Sequence, residues 1–299
     1  MNSLSALIKR NTKLFFKDKG MFFTALVTPL ILLVLYMTFL AKVYRDSFSS
    51  AIPEGVKIDS NLLDAMVGGQ LISSLLAVCC VTVAFCSNFL MVQDKVSGTV
   101  NDLKLTPVKN SIMALGYYIS TLFSTLIISF VACGAGFIYL KIIGWYLSLK
   151  DVAFLLLDVF LLVMFGTALS SIINMFLSSQ GQISAVGTII SAGYGFICGA
   201  YMPISQFGEG LQKTLAFLPG TYGTSLLRNH CLNGVFSEME EIGIPSDVTD
   251  ILKDTVDCNI YFFDKRVQIE TMLLILSGSA LLLVLVYVIL NMLRSRKIK

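Results

Sequence analysis

Few side chains in this sequence could do chemistry, and they are scattered. General acid–base catalysis needs paired carboxylates or a histidine with a partner. The sequence holds a single histidine, His230, and one carboxylate, Asp158, inside an otherwise uncharged apolar run. A carboxylate in such a run is a functional-site candidate by default. The reading as a structural group, reaching water or pairing with Lys150 or Arg266, stands ahead of that. Of the seven cysteines, Cys79, Cys80, Cys86, Cys133 and Cys198 lie within apolar runs and read as small packing residues. No CxxC pair or His/Cys cluster has metal-ligand spacing, so no metal site is expected. No Gly-x-x-x-x-Gly-Lys-Ser/Thr occurs either, so there is no phosphate-cradling loop. What stands out is a dense polar stretch, residues 94–107, wedged between two long apolar segments. By itself it reads as a polar surface offered to a soluble partner or as a plain interfacial connector.

The elements around that stretch belong in lipid. The chain is 56% apolar and 14% charged, where a soluble domain carries roughly 25% charge. A spanning helix needs about 20 apolar residues. Residues 21–41, 66–92 and 111–140 meet that length. Residues 159–208 carry no charge at all, which is too long for one span. The polar cluster Ser178-Ser179-Gln180-Gly181-Gln182 breaks the run as a turn, giving spans at about 152–177 and 183–202. Residues 271–293 form the sixth. Only helices or closed barrels satisfy the backbone in lipid, and barrel alternation is absent. The expectation is an all-α integral membrane protein: one transmembrane domain over residues 1–299 with six transmembrane helices.

Six spans place both termini on one side. That side holds twelve of the 22 Lys and Arg: five in residues 1–20, three in 93–110 and four after Leu293. It holds only three acids, Asp18, Asp94 and Asp102. The basic excess puts both termini in the cytoplasm, and the expected location is the plasma membrane. The net charge of +3 forms no basic groove, so no nucleic acid is expected.

Residues 1–20 place Leu4, Leu7, Ile8, Leu14 and Phe15 on one helical face, with most of the charge elsewhere. This suits an amphipathic helix lying in the membrane interface, in contact with lipid. On the outer side, residues 42–65 form a loop. Residues 204–270 form a long segment with helices at 207–218 and near 222–229, then a small acidic extracellular insert. Ser246 is placed to cap a short helix there, with Val248, Ile251, Leu252 and Val256 on one side. Cys231 and Cys258 flank this insert in a compartment where disulfides persist. They read as a candidate disulfide or as two free thiols.

Within the polar stretch, Gly98 is free to take positive φ and end the second span. Pro107 disfavours continued helix before it. A short helix over 99–105 follows. Gly98, Thr99, Leu103, Thr106 and Pro107, with Asp94 and Lys95 matching in charge, resemble the cytoplasmic loop of membrane subunits of type-2 ATP-binding cassette (ABC) exporters. Val96 and Asn101 stand where that family usually has Glu, and Tyr117 where it has Lys. A second stretch resembles the end of the family's fifth span and the re-entrant helices beyond it: Gly199-Ala200-Tyr201-Met202-Pro203, then Leu218-Pro219, Tyr222 and Arg228.

The resemblance implies a permease subunit moving a hydrophobic or amphipathic cargo (drug, peptide or lipid) outward. It implies an ATPase-coupling surface at Asp94, Lys95, Gly98, Thr99, Leu103, Thr106 and Pro107. The ATPase would be a separate chain that carries ATP and Mg, with no cofactor in this one. It also implies a second copy of the chain, as a homodimer or in a heterodimer. A substrate route along spans two and five would touch Phe85, Phe89, Tyr194, Phe196 and Gly199. Lipid-linked polysaccharide is the alternative cargo. An integral-membrane enzyme and a passive channel are the rivals from other classes.

Overall fold

The computed structural model describes residues 3–52 and 58–296. Helix α1 (Ser3–Lys17) precedes α2 (Lys19–Leu35), which Asp18 caps by accepting the Met21 amide hydrogen bond at 3.1 Å. The sequence reading ended this span at residue 41. The chain instead continues through a π-helical turn (Tyr36–Leu40) into α3 (Ala41–Ala51). Lys42, Arg45 and Asp46 do not break the helix, because Tyr44 and Phe48 on its other face are buried. The expected loop over residues 42–65 is therefore mostly helical, and its residues 53–57 lie outside the described residues.

Helix α4 (Ser60–Val96) is the axle of the fold. Its 37 residues span about 55 Å at 1.5 Å per residue. It starts six residues before the expected span, and nearly every side chain from Ala65 to Val92 is buried. Packing on all sides explains why it is apolar all round. Helices α6 (Asn110–Ile143) and α7 (Leu149–Phe176) pack along it, and α12 (Ile269–Arg296) packs on α7. The start of α7 is fixed by a capping box between Ser148 and Asp151. The helical run from Lys19 to Ser50, α4, α6, α7 and α12 over Ile269–Leu293 are five elements long and apolar enough to cross a membrane.

The expected fifth span is the shorter α8 (Gln180–Ile197), 18 residues or about 27 Å long. It stops before residue 202 because Gly199 takes φ +75°, and the Ala200 and Tyr201 amides turn back onto the Gly195 carbonyl at 2.8 and 3.0 Å.

A 3-10 turn (Ile204–Gln206) and α9 (Glu209–Leu215) lead into α10 (Pro219–Glu241). The expected short second helix near 222–229 is thus 23 residues long, with Pro219 at its first turn. It inserts deeply between α4 and α7, and only small residues permit this. A Cβ on Gly223 would stand 2.6 Å from Leu162, and Gly234 lies directly against the Tyr146 backbone. In α11 (Ser246–Thr255) the cap is Pro245, not Ser246. Val248, Leu252 and Val256 are buried as expected, whereas Ile251 is exposed. A two-stranded hairpin, β1 (Tyr261–Phe262) and β2 (Lys265–Arg266), qualifies the all-α expectation. Its turn is formed by Phe263 and Asp264, both at positive φ.

Candidate functional site

The polar stretch forms a joint at one end of the bundle, the end bearing α5 (Thr99–Leu105). Gly98 has φ +82°, a left-handed conformation that turns the chain sharply out of α4. No residue of α5 is buried, and Leu105 is 88% exposed. Thr106 closes the helix by donating its hydroxyl to the Leu103 carbonyl at 2.6 Å. Gly98, Thr99, Leu103, Thr106 and Pro107 thus share one projecting element.

Asp94 and Lys95 do something else. Asp94 is buried and accepts both guanidinium nitrogens of Arg10, at 2.7 and 3.0 Å, and the Tyr117 hydroxyl at 2.5 Å. This carboxylate contact raises the Arg10 guanidinium still further above its ordinary range. One carboxylate therefore ties α4 to α1 and α6. Lys95 Nζ donates to the carbonyls of Asn174, Met175 and Leu177 at 2.9, 2.9 and 3.1 Å. These carbonyls lie at the C-terminus of α7, the negative end of the helix, where a cation is favoured. Neighbouring residues at the foot of α4 thus grip three other helices.

Arg10 and Tyr117 did not emerge as site residues from the sequence. The departure at position 117 was the available signal, since a tyrosine there supplies a donor to the carboxylate. Helix α1 also differs from a purely interfacial helix: Leu7, Asn11 and Phe15 are buried, with Leu7 against Gly116 of α6.

A second feature is a cleft of about 1310 Å3 between α2–α3 and α8, floored by Cys86, Phe89 and Gln93 of α4. It runs from Asp18 and Gln180 at the α5 end to Ser47, Gln206 and Thr255 at the opposite end. One wall is apolar, with Val27, Ile31, Leu35 and Phe39. The other carries small residues of α8, among them Ser184, Gly187, Thr188 and Ser191. Of the expected route residues, Phe89 and Phe196 line this cleft. Phe85, Tyr194 and Gly199 do not. Phe85 is buried in the core around α4, Tyr194 wedges against Gly220, and Gly199 forms the turn that ends α8.

At the opposite end, Arg228 of α10 is 1% exposed and donates to Asp257 at 3.0 Å, the Gly199 carbonyl at 2.5 Å and Ser74 at 3.3 Å. Asp257 also accepts the Ile204 and Ser205 amides at 2.5 and 3.1 Å. The pair fastens the end of α8 to α4, α10 and the chain after α11. Asp158 pairs with neither Lys150 nor Arg266. Its Oδ2 lies 2.5 Å from His230 Nδ1, and Phe154 stacks on the imidazole at 4.9 Å. His230, which falls in the expected outer segment 204–270, is therefore buried against α7. Arg266 instead faces Asp250 at 3.7 Å.

Cys231 and Cys258 are both buried and free, so the candidate disulfide is not formed. Among the described residues no group of His, Cys, Asp and Glu has the spacing to hold a metal ion.

Long apolar helices around a buried axle, a projecting short helix on a charged joint and a lateral cleft describe a multi-pass membrane transport protein. The chain belongs to the ABC-2 type transporter family, whose model matches residues 2–231. It is thus a membrane permease component of a type-2 ABC transporter, and such permeases work with an ABC ATPase. No curated protein sequence matches it.

Proposed function

We propose that this permease is the membrane half of an exporter and that α5 is the surface through which a separate ATPase drives it. The observation that carries this reading is the contrast at the foot of α4. Helix α5 projects with no buried residue, while Asp94 and Lys95 directly behind it grip α1, α6 and α7. A push on α5 therefore reaches four helices at once. The ATPase supplies the nucleotide and Mg chemistry, and two copies of the permease pair around two ATPase chains. The positive-inside count supports a cytoplasmic side for both termini and α5; in this reading the membrane is the plasma membrane, α8 is a sixth span and α9–α10 enter from outside.

The cargo is hydrophobic or amphipathic and passes along the cleft, whose apolar wall on α2 and small-residue wall on α8 suit a tail and a narrow head. Purification of the solubilised full chain from native membranes should bring an ATPase with it. Vesicles holding both should move cargo only with ATP. ATP-independent flux would favour a channel, and chemical turnover of lipid would favour an enzyme.

A further inference from the structure

Beside the α10 end of the cleft the protein buries polar atoms that form no hydrogen bond of ordinary geometry. The π-helical turn Tyr36–Leu40 delivers Tyr44 to the cleft wall, where its ring stands beside Tyr36 and Phe48. The Tyr44 hydroxyl lies near the Gln70 amide and the Arg228 guanidinium. Yet the Tyr44 hydroxyl, both amide atoms of Gln70 and Arg228 Nε form no hydrogen bond of ordinary geometry. Gln70 is wholly buried and Tyr44 is 6% exposed. Leaving such groups unpaired is costly, so their retention points to a partner that the chain does not supply. π-Turns also concentrate at functional sites. The charge of Arg228 is already answered by Asp257 at 3.0 Å. The groups left over are a hydroxyl, a carboxamide and one N–H, which donate and accept without adding net charge.

We propose that Tyr44 and Gln70 form a subsite for the uncharged, hydrogen-bonding head group of an amphiphile, a hydroxyl-rich or amide head whose tail stays in the apolar cleft. The subsite rests on the reading of the cleft as the cargo's path. Tyr44 is its door: a rotation of the phenol opens the cluster to the cleft and offers the Gln70 amide to the arriving head.

The test uses the full chain in lipid nanodiscs and three photoreactive amphiphiles with one common alkyl tail. Their heads are a glucoside, a sulfate and a trimethylammonium. The glucoside should bind about tenfold more tightly than either charged probe and label the chain around Tyr44. Tyr44→Phe and Gln70→Leu should each weaken it about fivefold, the worth of a neutral hydrogen bond, and leave the charged probes unchanged. Gln70→Leu removes two unpaired buried atoms. A purely structural glutamine would therefore give raised thermal stability with no change in head-group preference. Equal affinity for the three heads, or a glucoside preference that survives both variants, overturns the proposal. A cluster that holds only water gives that second result. Gly187→Trp fills the cleft from its α8 wall beside Phe89, where an added Cβ would stand 3.4 Å from the ring. Loss of all three probes in that variant keeps the cleft as the binding place whatever the head-group result. Unchanged binding of all three removes the cleft reading, and the subsite with it.

Discussion

Arg10 and Asp94, 84 residues apart in the chain, meet in a two-pronged ion pair with nitrogen–oxygen distances of 2.7 and 3.0 Å. The Asp94 side chain is 8% exposed and that of Arg10 30%. The pair is thus half shielded from solvent, and Tyr117 adds a third donor from α6. Through this contact α1, which otherwise resembles a surface helix, becomes part of the joint under α5. Asp94→Asn should cost about 1–2 kcal/mol of stability, discounted for the exposed side of Arg10. It should reduce ATP-driven transport more than membrane insertion. Thermal unfolding in detergent together with a vesicle transport assay measures both, and full transport in Asp94→Asn would remove the joint from the coupling path.

Gly98→Val forces a β-branched residue to φ +82°, at a cost of about 1–2 kcal/mol. No atom lies within 4 Å of the Cβ position, so the effect is on chain direction and not on packing. Leu103→Asp leaves the backbone alone and alters only the surface of α5. Both variants should hydrolyse ATP with the partner but move little cargo. Normal ATP-to-cargo coupling in both refutes α5 as the driven surface.

Arg228→Leu strands the Asp257 carboxylate. Breaking one side of a buried ion pair costs about 3–5 kcal/mol, so the melting temperature should fall by several degrees. The same variant frees the Gly199 carbonyl and loosens the end of α8. A melting temperature equal to the unaltered protein's would show that the pair carries no stability.

Topology is open to thiol labelling in a cysteine-free background. Ser178→Cys should resist an impermeant maleimide added to intact cells, and Tyr261→Cys, on the exposed hairpin, should react. The reverse pattern would invert the whole arrangement.

Burial raises the Cys258 thiol to about 12, so little thiolate exists at neutral pH. Native protein should alkylate slowly at Cys231 and Cys258. After unfolding without reductant, both should alkylate fully. A pair that reacts only after reduction would establish the disulfide that the structure lacks.

Hydropathy by itself determined that the chain is helical and membrane-bound, because long uncharged runs have few other ways to satisfy a backbone in lipid. Local chemistry determined the punctuation near 98–107: a glycine at positive φ and a proline stop are properties of single residues, and α5 falls on Thr99–Leu105 as expected. Helix ends were less legible. Residue 42 looked like a boundary by charge, yet Tyr44 and Phe48 keep the helix running to Ala51. Only the tertiary structure decided what the charged residues do. Asp94 with Arg10, Asp158 with His230, and Arg228 with Asp257 are separated by 84, 72 and 29 residues. A buried charge takes whichever partner the packing brings within hydrogen-bond reach, and that choice has no local sequence signature.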